Sequence, residues 1–184
     1  MKHLCLSILM LLSVLSINAQ DKNDTDANHN FNEIKVNALY LVLGAFEGIY
    51  ERTLNEESAV GASLFIPFDD ELINDEINFY FSPYYRLYFG KRYAAGFFIE
   101  GFGLLSSYDV TTIDFSPLAF DGAPIVREEN LTDFALGIGI GGKWVTNNGF
   151  IGELNLGIGR NLFNADEFID DVVAKIGITL GYRF

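Results

Sequence analysis

The sequence is poor in cysteine, and the single one, Cys5, lies in the first apolar stretch of the chain. This stretch, MKHLCLSILMLLSVLSINAQ, follows the basic Lys2 and ends in small residues at Ala19, a pattern typical of a secretory signal peptide. It is also shorter than the roughly 20 apolar residues that a membrane-spanning helix needs. We predict that residues 1–19 are a cleaved signal peptide. Because Cys5 leaves with it, the exported fold contains no disulfide and depends on burial and backbone pairing.

Long apolar runs, positive charge and histidine are also scarce. After the signal peptide no stretch is long enough for a transmembrane helix, so a membrane location requires strands. The 12 Lys and Arg residues against 25 Asp and Glu give a net charge of −13, which argues against a nucleic-acid partner. The remaining histidine, His29, lies in the polar segment 20–32, which we predict to be a disordered lead-in. A Ser-His-acid hydrolase would therefore lack its general base.

What the chain does have is apolar residues alternating with small or polar ones from residue 33 to its end. This period of two predicts strands, and no amphipathic helix is expected. Tight turns and longer acidic connections alternate between these strands, so we predict an all-β fold, an eight-stranded antiparallel up-and-down transmembrane β-barrel over residues 33–184. The predicted strands are 33–43, 46–54, 59–68, 78–90, 94–108, 132–146, 150–162 and 172–184, with the stretch 109–130 as a long loop.

Charged residues occupy the strand faces opposite the apolar ones. If the apolar faces contact lipid, these charges point into the barrel and form an interior ion-pair network, which we prefer to paired catalytic acids because cations are as numerous as carboxylates. The reverse arrangement, a water-soluble barrel with its apolar faces inward, has the same period. Eight strands enclose a lumen that side chains fill, so no open channel is expected. The predicted network consists of Lys35, Glu51, Arg86, Glu100, Lys143, Glu153, Lys175 and Arg183.

A literal G-x-G-x-x-G match, GIGIGG, spans residues 137–142. A dinucleotide site needs this loop between a strand and a helix, whereas here Ile138 and Ile140 continue the strand alternation. We interpret the glycines as inward positions that make room for large neighbouring side chains.

The chain ends in GITLGYRF, with apolar residues at every second position up to a terminal aromatic ring: Ile178, Leu180, Tyr182 and Phe184. This ending resembles the signature by which the outer-membrane assembly machinery recognises barrel precursors. Together with the signal peptide and the strand pattern, residues 33–184 resemble small outer-membrane barrels of the OmpA and OmpX type. Segments such as NEIKVNALYLVLGAFEGIYERTL and YFSPYYRLYFGKRYAAGFFIEGFG are most similar to uncharacterised outer-membrane barrels of Bacteroides-like Gram-negative bacteria.

The resemblance implies a monomer in the cell outer membrane, with lipid, lipopolysaccharide and the assembly machinery as partners. It brings no cofactor and no catalytic residue. We therefore expect a structural or surface-recognition role through acidic extracellular loops. Two alternatives stay open at this point: a lipid-modifying outer-membrane enzyme, because some barrels of this size have such activity, and a soluble periplasmic lipid-binding barrel.

Two of the acidic connections form a candidate divalent-cation rim at one end of the barrel. Carboxylates at this density repel one another, and hard divalent cations relieve that repulsion. The alternative is a solvated acidic surface that binds nothing. The rim residues are Asp69, Asp70, Glu71, Asp75, Glu76, Asp166, Glu167, Asp170 and Asp171.

Replacing Tyr182 and Phe184 together with serine is predicted to lower the amount of assembled protein in the outer membrane, because it removes the aromatic residues of the terminal signature. The measurement is the folded barrel in the membrane fraction, with an Asn147→Ser, Asn148→Ser double variant as control. Equal membrane levels for the two variants would contradict the signature.

Overall fold

The computed structural model describes residues 31–69, 77–114, 125–163 and 172–184. Strands that follow one another in the sequence pair antiparallel, and the last pairs with the first to close the barrel. The predicted eight-stranded, antiparallel, up-and-down fold is thereby confirmed. No helix in the described ranges is long and apolar enough to cross a membrane. The strands are β1 (Asn32–Asn37), β2 (Ala45–Asn55), β3 (Ser58–Pro67), β4 (Ile77–Tyr88), β5 (Gly96–Asp114), β6 (Ile125–Val145), β7 (Phe150–Asn161) and β8 (Val172–Arg183).

The first predicted strand is wrong in its second half, because Ala38–Leu43 forms a short α-helix, α1. The Asn37 side chain caps its start by accepting a hydrogen bond from the Leu39 N–H at 3.2 Å. Gly44 ends it in the left-handed conformation, with φ of 92°. The segment between these caps, ALYLVL, is apolar throughout, so it has no period of two to keep it in a strand.

The predicted loop 109–130 is also wrong over much of its length. β5 continues to Asp114 and β6 begins at Ile125, with the two strands paired up to Asp114 and Ile125. The pairing of β4 with β5 ends earlier, at Tyr108, so this hairpin extends beyond the neighbouring strand. Its sequence VTTI, residues 110–113, is rich in β-branched residues, which favour strands even between acidic neighbours.

The barrel begins slightly before the predicted end of the lead-in. Asn32 already belongs to β1, and its N–H donates to the Phe184 carbonyl at 2.9 Å. Phe31 exchanges backbone and side-chain hydrogen bonds with Thr53 and packs edge-on against Tyr93, with ring centroids 5.5 Å apart. These two residues are therefore part of the fold. The predicted signal peptide and the rest of the lead-in, residues 1–30, lie outside the described residues.

The barrel wall has an apolar outer face and a polar inner face. Leu156 and Ile158 are 58% and 59% exposed on the outside of β7, whereas Glu153 on the same strand is 2% exposed and points inward. This orientation is the reverse of a carrier with an apolar lumen. The apolar lumen that the soluble lipid-binding alternative requires is therefore wrong, because charged side chains occupy the space where the lipid would lie.

Two glycines of the GIGIGG segment, Gly137 and Gly141, make room for aromatic rings in the lumen. A Cβ atom on Gly137 would overlap the Phe102 ring, and one on Gly141 would overlap the Phe98 ring. Phe98 and Phe102 are both buried on the inner face of β5. The interpretation of the glycines as inward space for large neighbours is confirmed for Gly137 and Gly141, but it is wrong for Gly142, which lies on the outer face beside Trp144. The segment continues as β6 to Val145, so it lacks the helix that a dinucleotide motif needs.

Gly137→Ala is expected to lower the free energy of unfolding by about 1–3 kcal/mol, because the added methyl group overpacks the lumen against Phe102. The matched control is Gly152→Ala, since a Cβ at Gly152 meets no heavy atom within 4 Å. Urea unfolding in detergent micelles measures both. Equal midpoints for the two variants would mean that the ring moves aside freely.

Candidate functional site

Glu51 is the centre of the charged lumen. Its carboxylate, on the inner face of β2, is buried and accepts hydrogen bonds from three cations on three other strands. Lys35 of β1 lies at 2.7 Å, Lys143 of β6 at 2.6 Å and Arg86 of β4 at 2.8 Å. One carboxylate thus joins four strands across the interior of the barrel.

Two further glutamates extend this network around the lumen. Glu153 of β7 accepts from Lys35 and from Arg86, each at 2.9 Å. Glu100 of β5 accepts from the Arg86 Nε at 2.6 Å and from Lys175 of β8 at 2.8 Å. Arg86 therefore contacts three carboxylates, with Nε on Glu100, Nη1 on both Glu51 and Glu153, and Nη2 also on Glu153, as the fork of the guanidinium group allows. The structure brings Lys35, Glu51, Arg86, Glu100, Lys143, Glu153 and Lys175 into one cluster.

Glu33 is a member of the network that the sequence analysis missed. It is buried on β1, two residues from Lys35, and its carboxylate lies 3.0 Å from the Lys143 Nζ. It also joins Arg183 to the cluster, with the Arg183 Nη2 at 2.6 Å. The spacing of two from Lys35 is the signal that places Glu33 on the inner face. Glu33 directly follows the predicted lead-in, so it was not assigned to the inner face of the first strand.

Aromatic side chains complete the packing around the charges. The Tyr84 and Tyr88 hydroxyls donate to Glu51 at 2.8 and 2.7 Å. The Arg86 guanidinium lies 4.3 Å from the Tyr84 ring centre and 4.2 Å from that of Phe98. These contacts desolvate the network and favour its cations through the negative ring faces. The lumen at this level is filled by side chains.

Arg183 closes the lumen at the turn end. Besides Glu33, its guanidinium donates to the carbonyls of Tyr93 and Ala94 in the β4–β5 turn, each at 3.0 Å. It also lies 5.4 Å from the centre of the Phe31 ring. A single side chain near the end of β8 therefore contacts both the start of β1 and the β4–β5 turn.

The terminal apolar residues lie on the opposite, outer face of β8. Ile178, Leu180, Tyr182 and Phe184 are each about half exposed, at 45–58%. The Tyr182 ring packs edge-on against Phe150 of β7, with centroids 5.6 Å apart. These four residues therefore form an external stripe next to the seam of the barrel, where an external partner can contact them.

Most of the candidate cation rim lies outside the described residues. Asp69 is described; it is exposed beside Gly44, whose carbonyl accepts from the Asp69 N–H at 3.0 Å. The rest of the rim, residues 70, 71, 75, 76, 166, 167, 170 and 171, is not described. Across the ranges that the structure does describe, no three Asp, Glu, His or Cys side chains come together as a metal site.

These observations define a class of protein: a closed eight-stranded barrel with a filled, charged lumen and an apolar exterior. The chain belongs to the family described as protein of unknown function (DUF3575), whose profile matches residues 5–176. The fold is similar to the crystal structure of the N-terminal β-barrel domain of Pseudomonas aeruginosa OprF, with a TM-score of 0.55 and 16% identity. That match covers 85% of this chain and 98% of the OprF domain. A search of curated proteins finds no match.

Glu51→Gln is predicted to lower the free energy of unfolding by about 3–5 kcal/mol, because it leaves the cations around it with less negative charge in a buried site. Glu56→Gln, in the exposed β2–β3 turn, is the control and is expected to change it by less than about 0.5 kcal/mol. Denaturant midpoints in micelles compare the two. A Glu51→Gln midpoint equal to that of the control would mean that the network adds nothing to stability.

Proposed function

We propose that this protein is an integral outer-membrane β-barrel with a structural and surface-recognition role. The observation that carries the proposal is the continuous apolar exterior. Outward residues of every strand are large and exposed, for example Ile34, Leu64, Phe81, Ile99 and Leu156. A wall of this kind requires an apolar solvent, and a closed barrel is the strand arrangement that satisfies its backbone in lipid.

Aromatic side chains at the two ends of the wall support the same proposal. Phe89, Trp144 and Phe150 are exposed at the turn end, and Phe46 and Phe68 are exposed at the loop end. Rings at these heights match the interfacial girdles of outer-membrane barrels. The similarity of the fold to the OprF barrel domain and the predicted signal peptide agree with export to that membrane.

The role that we propose is neither transport through an open pore nor catalysis. The cations and carboxylates of the network around Glu51 already bind one another at 2.6–3.0 Å, so their charged groups are engaged within the protein. A catalytic acid or base needs access to a substrate, and a pore needs a continuous path for water. The network instead suits a rigid plug that keeps the barrel closed.

Surface recognition is proposed for the loop end, where the β5–β6 hairpin extends past its neighbours. Its two strands stay paired to Asp114 and Ile125, beyond their last pairs with β4 and β7. The connections at this end also hold most of the excess negative charge of the sequence. Acidic connections favour cations, cation-bridged lipopolysaccharide phosphates or a basic partner.

Ile140→Arg tests the membrane proposal, because Ile140 is 53% exposed midway along the paired part of β6. Arginine facing the middle of a bilayer costs about 2–4 kcal/mol, whereas on a water-exposed surface the change is nearly neutral. We therefore expect less folded protein in the membrane fraction, measured by the compact band that unheated samples give on a gel.

The control for this test is Asn148→Arg, in the exposed β6–β7 turn, which is expected to assemble like the wild type. The proposal fails if wild-type protein is recovered in the soluble fraction, or if unheated and boiled samples migrate identically. Failure of Ile140→Arg alone to affect assembly would contradict a lipid-facing position for β6.

A further inference from the structure

Two positive charges interrupt the apolar exterior of the barrel. Among the described outward residues that pair with a neighbouring strand on both sides, the charged ones are both arginines. Arg52 lies near the turn end of β2 and Arg160 at the loop end of β7, and both side chains are exposed. The sequence has 25 Asp and Glu residues against 12 Lys and Arg, yet this outer face carries cations. Its charge is therefore opposite to that of the whole chain and suits an anionic partner.

Arg52 has no anionic partner in the described protein. Its neighbours along the outer face of β2 are Tyr50 and Leu54, and Val60 lies opposite it on β3. No hydrogen bond or ion pair joins its guanidinium group to any described residue. A cation among apolar side chains on a lipid-facing wall is costly unless it reaches an anion or water at the interface. The long arginine side chain allows that reach from a position near the end of the strand.

A second polar side chain lies directly across from Arg52. Asn32 of β1 is its register partner, so their Cβ atoms are about 4.5–5.5 Å apart. The Tyr50 hydroxyl donates to the Asn32 Oδ1 at 2.8 Å, which fixes the orientation of the amide. The Asn32 Nδ2 forms no hydrogen bond with a described residue and still has its N–H groups to donate. The guanidinium and the amide therefore offer donors side by side on the outer face.

This set of donors matches a phosphate group. The planar fork of an arginine binds two phosphate oxygens at once, and a neighbouring amide adds a further hydrogen bond. The site also lies at the level of an aromatic girdle, because Asn32 exchanges backbone hydrogen bonds with Phe184 at 2.9 Å and the Phe184 side chain is 58% exposed. Aromatic residues at this height mark the boundary between hydrocarbon and headgroups.

We propose that Arg52, Asn32 and Tyr50 form a binding site for the phosphate of a membrane phospholipid at the turn end of the barrel. The proposal rests on the membrane location proposed above. Arg52 binds the phosphate through its fork, Asn32 donates one further hydrogen bond, and Tyr50 orients Asn32. The acyl chains of the same lipid lie along the apolar outer residues of β1 and β2, such as Ile34.

The test uses the refolded protein in micelles of dodecyl maltoside, a detergent without phosphate. Three additives are compared: phosphatidylglycerol, diacylglycerol with the same acyl chains, and inorganic phosphate. Because the lipid binds the folded barrel, phosphatidylglycerol is expected to raise the thermal midpoint by roughly 3 °C with a saturable dependence on concentration. Diacylglycerol and inorganic phosphate are expected to leave it unchanged, since each lacks one half of the ligand.

Substitutions separate this site from general attraction between charges. Arg52→Gln is expected to abolish the shift, and Arg52→Lys, which keeps the charge without the fork, to retain about half of it. Tyr50→Phe keeps the ring but releases the Asn32 amide, so it is expected to raise the half-saturating lipid concentration about fivefold. The matched control is Lys91→Gln, which removes an exposed cation from the β4–β5 turn at the same end and is expected to keep the full shift.

Four results would overturn the proposal. Equal midpoints with phosphatidylglycerol and diacylglycerol would exclude a phosphate site, and an equal shift with inorganic phosphate would exclude a lipid as its ligand. A full shift in Arg52→Gln would place the lipid elsewhere, and unchanged titration of Tyr50→Phe would exclude the arrangement around Asn32. If unheated samples still give the compact band, these results leave the membrane location standing, whereas recovery of wild-type protein in the soluble fraction would overturn both proposals.

Discussion

The convergence of Lys35, Lys143 and Arg86 on Glu51 is the interaction on which the barrel depends. Side chains alternate between the two faces of the barrel wall, so apolar residues on the outer face place the polar residues on the inner face. The lumen of an eight-stranded barrel is narrow and leaves little room for water beside them. Two clusters of buried apolar side chains also lie inside the barrel, around Phe65 and around Phe98. The buried charges must pair alongside them, and the cost of leaving one unpaired makes the arrangement specific.

The lumen changes character along its axis. Toward the turn end it is ionic, with Glu33, Arg183 and Lys143 in contact, whereas toward the loop end it is aromatic, with Phe65 and Tyr80 stacked below Tyr40. Helix α1 belongs to this second part, because its Tyr40 ring packs edge-on against Phe65. The break in strand alternation after β1 therefore adds an aromatic ring to this stack.

The fold was predictable because apolar and polar residues alternate in the sequence with the period at which side chains alternate between the two faces of a strand. Lys35, Glu51 and Glu153 occupy the polar positions of that alternation. The partners were not predictable: Lys35 and Glu153 are 118 positions apart, and only the register of the closed barrel brings them together. Glu47 shows this limit most clearly. It stands on the same face as Glu51, four residues away, yet the sequence does not show that Glu51 has three cations and that Glu47 has none among the described residues.

The shortness of β1 has a consequence for how the barrel is made. Its ladder with β8 runs only from Glu33 to Asn37, whereas β7 pairs with β8 from Phe150 to Arg160. This seam is the last junction to form in a chain that adds strands in order, and its five register pairs equal those between β1 and β2. Lys35 and Arg183 reach across it to Glu153 and Glu33. We therefore expect barrel closure to require formation of these ion pairs, because they stabilise a β1–β8 seam whose backbone ladder is short.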